Sequence, residues 1–177
     1  MTPRAAAPAT PAPPFDAAAA VLHAWATSDA ITRYCVEALD PALWTAEPPG
    51  GKGRTVAAIV AHLHNVRVMW LKAAAKEREP PAQLDRHTVT RDEALAALAV
   101  SHAALRQVLA EGLANGGRVK GFKPDAVGFL GYLVAHEAHH RGQIAMLARQ
   151  LGHPLPQAAM FGMWEWGSRG RGLEHAD

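Results

Sequence analysis

The sequence predicts an all-α fold, a four-helix bundle. Apolar residues recur at helical spacing in four separate stretches. Proline- and glycine-rich or polar segments punctuate them. No run of alternating apolar and polar residues suggests a strand.

The first 14 residues read as a disordered leader, since alanine and proline there offer nothing to bury. Residues 15–177 form a single helical domain. The first helix is expected from about Asp16 to Ala38, marked by Val21, Leu22, Trp25, Ile31, Tyr34 and Cys35. "DPALWTAEPPGGKGR" breaks it. The second starts at Thr55, a good capping residue, and runs to about Lys76. "EREPPAQLDRHTV" links it to the third helix, where Thr90 and Glu93 form a capping box and Leu95, Leu98, Leu105, Val108 and Leu109 follow. "NGG" at 115–117 stops that helix. The fourth begins around Pro124 and Asp125, with proline in the first turn, and ends near Leu151 before Gly152. A short aromatic tail follows, with one short helix and two tryptophans.

The totals exclude several classes. With 18 basic and 16 acidic residues the formal charge is +2, so no electrostatic footprint for nucleic acid exists despite a pI of 8.9. No apolar run approaches the roughly 18 residues of a membrane helix, and no secretory core stands at the N-terminus. The single cysteine, Cys35, excludes an intrachain disulfide and fits a cytoplasmic protein. Its place on an alanine-rich amphipathic helix makes it a small core residue. "PPGGKGRT" lacks the spacing of a phosphate loop. The five tryptophans read as core and interface anchors, and the tail "MFGMWEW" as cover for a homodimer interface.

"AHEAHHRGQ" in the fourth helix concentrates three of the ten histidines. At about 100° per residue, His136 and His140 lie about 40° apart, one turn up, and can chelate one ion. Phe129, Leu133 and Leu147 share their side, so the pair faces the core. His139 is less well placed, and Gln143 could line the pocket. Two ligands are too few, because a catalytic zinc-type site takes three and keeps an open position. The second helix offers His62 and His64, which flank its apolar stripe on opposite sides, so periodicity does not choose between them. Arg67 lies near the centre of that stripe, where it could meet a buried carboxylate or an anionic substrate.

"TVAAIVAHLHNVRVMWL", followed some seventy residues on by "HEAHHRGQIAMLARQLG", resembles the DinB/YfiT-like family, named after DNA-damage-inducible bacterial proteins. The similarity runs from about residue 16 to 153. It implies a four-helix bundle with a divalent metal held by three histidines. Carried over, these are His62, His136 and His140, which settles His62 over His64. It also implies an open position for water or substrate, zinc or nickel as metal, and a metal-dependent hydrolase or a transferase using a low-molecular-weight thiol. The substrate would be a small molecule. Gln143, Arg67, His139 and His64 remain as substrate-binding or supporting candidates, and no residue is marked as catalytic. A non-enzymatic metal-binding or sensor module is the alternative.

Read literally, His136, Glu137 and His140 also imitate the H-E-x-x-H of a zinc protease, with Glu137 as base and Glu165 as third ligand. The elongated form of that motif needs glycine and histidine where Gln143 and Met146 stand, and no strand is available to bind a peptide.

Overall fold

The computed structural model describes residues 14–173, and within them every regular element is helical. Four long helices carry the mass: α1 (Ala17–Glu37), α2 (Val56–Ala74), α3 (Arg91–Ala114) and α4 (Ala126–Gln150). Two short helices, α5 (Gln157–Gly162) and α6 (Trp166–Arg169), form the tail. The expected leader lies, apart from Pro14, outside the described residues.

Each long helix starts where a short polar side chain satisfies a free backbone N–H. Asp16 accepts from Ala19 N at 2.9 Å, Thr55 from Ala58 N at 3.2 Å and Asp125 from Gly128 N at 2.8 Å. Thr90 and Glu93 form the reciprocal capping box read from the sequence. Pro124 stands just outside α4 rather than in its first turn, because Asp125 takes the capping position. Gly152, at φ 83°, follows α4 in the left-handed conformation that glycine adopts without strain.

Two apolar clusters form the core. One gathers Cys35, Val36, Val60, Leu63, Leu98 and Ile144; the other gathers Trp25, Leu71, Leu105, Leu109, Phe129 and Leu133. Along α1 and α4 the second cluster comes first in sequence, and along α2 and α3 the first does. The helices therefore run up, down, down and up, with α2 and α3 parallel. Parallel neighbours need a connection that returns the length of the helix, and residues 75–90 supply it. Asn65 ties this return down, with its Nδ2 donating to Leu84 O and its Oδ1 accepting from Leu84 N, both at 2.9 Å. α1 and α2 each pack chiefly against α3 and α4.

Between the two clusters each long helix places polar residues in the interior: Ser28, Asp29 and Thr32 on α1, His64 and Arg67 on α2, Ser101 on α3, Glu137 and His140 on α4. The histidines of interest lie at this level.

The tail holds two short helices where one was expected. Arg169 stacks on the Tyr34 ring at 3.5 Å, and α6 packs against α1. At Gly170 the approach is so close that a Cβ would lie 2.6 Å from Thr27 Oγ1. Among the described residues no helix is long and apolar enough to cross a membrane.

Candidate metal centre

His62 from α2 meets His136 and His140 from α4. One ligand atom from each lies within 4.8 Å of the others. The ring centroids are 5.4 Å (His62–His136), 4.8 Å (His62–His140) and 4.6 Å (His136–His140) apart. The Nε2 atoms of His136 and His140 face each other at 3.2 Å. Zinc–nitrogen bonds of about 2.0–2.1 Å place tetrahedral ligand nitrogens about 3.3 Å apart, so this edge has the length such a site needs.

The protonation states suit a cation. Burial pushes all three histidines below the usual imidazole range. For His62 the Arg54 guanidinium adds to the effect. His136 is driven down to about 4 by burial, then by His140 and His62. For His140 the Gln143 hydrogen bond works against burial without cancelling it. Neutral rings with free lone pairs are what a metal requires.

Gln143 sets the tautomer. Its Oε1 only accepts, so the His140 Nδ1–H donates to it at 2.7 Å, leaving His140 Nε2 as a lone pair aimed into the cluster. The Gln143 amide then donates to His139 Nε2 at 3.0 Å. His139 is thus one step removed, exposed and linked through Gln143. Tyr132 stacks on His136, with centroids 6.0 Å apart and planes 15° from parallel. The sequence reading missed this ring, although Tyr132 stands one turn before His136.

A model of the DinB family matches residues 15–169. The chain belongs to the DinB family. No curated protein matches it closely enough to count as a relative.

In this DinB chain the remaining candidates have other occupations. His64 has no exposed surface. Its Nε2–H donates to Ala82 O at 2.8 Å, and its Nδ1 accepts from Ser101 Oγ at 3.1 Å. Both nitrogens are spent fastening the 75–90 return to α2 and α3. His64 therefore supports the fold and has no place at the three-histidine cluster.

Arg67, 2% exposed, meets two carboxylates and no open space. Its Nε donates to Glu137 Oε1 at 2.8 Å, and its Nη1 pairs with Asp29 Oδ1 at 2.8 Å and donates to Leu98 O at 2.8 Å. Of the two roles open to it in the sequence, the structure shows the buried carboxylates. Burial alone would raise the Asp29 carboxyl, but Arg67, with His102 and Arg33, outweighs it and holds Asp29 below the usual range. Arg67 itself is held above its ordinary value, because Glu137 and Asp29 outweigh its own desolvation.

Glu137 is the residue that the protease-like string misassigns. Oε1 accepts from Arg67, and Oε2 accepts from Thr32 Oγ1 at 2.8 Å. Arg141 donates to the same Thr32 Oγ1 at 2.8 Å. With both oxygens bound in the interior, Glu137 is not available as a base. Glu165 is exposed at the start of α6. Cys35 has no exposed surface, and burial pushes its thiol up to about 11, so it supplies no thiolate.

Proposed function

We propose that this DinB protein is a metal-dependent enzyme acting on a small molecule, as a hydrolase or as a thiol-dependent transferase. Its metal would be zinc or nickel, held by His62, His136 and His140 on a four-helix bundle. The observation that carries this reading is the convergence of three neutral imidazoles from two helices, with ligand atoms within 4.8 Å of one another. Imidazole nitrogens suit both metals.

The donor set is all histidine, with no carboxylate or thiolate in the cluster. His62 and His136 remain half-buried, so one side of the cluster is reachable. Three protein ligands with an accessible fourth direction make a catalytic pattern, whereas structural zinc sites are closed by four. When bound, the ion would supply Lewis acidity, polarising a substrate atom or stabilising a thiolate from a small-molecule thiol. The chain's own residues would do the rest. Gln143 fixes the His140 tautomer, Tyr132 walls one side of His136, and the Arg67–Glu137 pair anchors α2 against α4.

The test is metal content by elemental analysis of protein purified without a histidine tag. About one zinc or nickel per chain is expected, falling to background in His62→Ala, His136→Ala and His140→Ala. A wild-type protein that takes up neither ion when either is supplied in excess would refute the reading. Exposure of the loaded protein to thiols and to ester or amide probes then separates transferase from hydrolase.

A further inference from the structure

A cavity of about 330 Å³ is lined by Pro48, Gly53, Arg54, Ile59, Gln143 and Leu147, none of them a histidine of the cluster. Gln143 connects it to the cluster, since the same side chain binds His140 Nδ1. Arg54 comes from the loop before α2 and is close enough for its charge to disfavour protonation of both His62 and His140.

Charge decides what belongs in this cavity. No acidic residue lines it, and none stands in the first turn of α2. Arg54 is exposed and makes no ion pair or side-chain hydrogen bond among the described residues; Arg106, Arg118 and Arg149 make none either, and what sets Arg54 apart is its place in the lining of this cavity. The nearest acid along α4, Glu137, is neutralised by Arg67. Three neutral imidazoles cancel none of a dication's charge, and Arg54 adds one more positive charge beside it. The cavity lining itself offers no negative charge to balance this, so an anionic ligand group would be favoured there.

We infer that the Arg54 cavity is a subsite for an anionic group of the substrate, a carboxylate or a group of like charge. One end of the substrate would sit at the open side of the histidines and its charged end at the Arg54 guanidinium. This inference rests on the three-histidine reading and names the substrate class for it. Arg54 acts as a specificity residue: it selects ligands with a second negative charge. The site accommodates the apolar body between those ends through Pro48, Ile59 and Leu147.

The test uses cobalt-loaded protein, whose visible absorption reports ligands near the metal. Succinate, glutarate and adipate are titrated against butyrate, pentanoate and hexanoate, the monoacids of the same lengths. At least one diacid should bind about fivefold more tightly than its monoacid, the upper range for an ion pair reached by solvent. Arg54→Gln should bring the diacid-to-monoacid affinity ratio, measured within that variant, close to one, Arg54→Lys should keep part of the preference, and added salt should erode it. No diacid preference in the wild type, or a preference that survives in Arg54→Gln, would overturn the subsite while leaving the metal reading intact. A protein that takes up no cobalt would instead overturn the three-histidine reading itself.

Discussion

Gln143 holds two imidazoles with one amide, His140 through its oxygen and His139 through its nitrogen. Removing it frees His140 to rotate and to exchange tautomers, while no ligand atom is lost. Partners of this kind typically change metal affinity 10- to 100-fold. Gln143→Ala should therefore weaken zinc binding by about that factor in a competition titration, with the metal-free protein melting at nearly the same temperature. At this scale the sequence was informative about residue types and ambiguous about direction. His62 and His64 flank one stripe symmetrically, and only the family resemblance separated them. The decisive contacts of His64, to Ser101 and the Ala82 carbonyl, come from segments far along the chain that periodicity does not register.

α2 and α4 carry the three histidines, and the same two helices are joined by Arg67 and Glu137. Glu137 follows His136 directly, and Arg67 lies five residues beyond His62. The ion pair thus fixes the height of one helix against the other near the cluster. Arg67→Met would leave buried Asp29 with only Arg33, at 2.8 Å, and buried Glu137 with only Arg141, at 3.9 Å, a loss of about 3 kcal/mol in urea unfolding, the low end for a broken buried pair. Glu137→Gln should cost less, because Asp29 still pairs with Arg67. Helix positions were largely legible, since capping residues and apolar spacing are local signals: Thr55, Thr90 and the expected end near Leu151 fell within a residue or two of the observed boundaries. The place of Arg67 in an apolar stripe also signalled a buried partner. Asp29 did not stand out, because an acid on an amphipathic helix ordinarily faces water. The tail's second helix was hidden too, for four residues are too few to show a period.

Over the described residues, several buried and half-buried histidines share one pH dependence. His62, His64, His102, His136 and His140 are all held below the imidazole value of 6.5. Well above pH 6.5 neither the folded nor the unfolded chain protonates them appreciably. As pH falls below 6.5 the unfolded chain takes up protons that the folded one refuses, so stability falls, and the loss continues towards the His136 value of about 4. The metal-free protein should therefore melt at a lower temperature at pH 5 than at pH 7. Zinc at a hundredfold excess over its dissociation constant should add about 2.7 kcal/mol near neutrality, and the same zinc concentration should add less in acid, where protons compete for the rings. Scanning calorimetry with and without a chelator checks both. The helix directions were not readable from sequence, because the parallel course of α2 and α3 depends on the two core clusters. Cys35 lies within one of these clusters and is the chain's sole sulfhydryl. A thiol-labelling reagent can therefore modify the protein only when α1 lifts away from its neighbours, and the labelling rate becomes a built-in clock for how often the molecule opens.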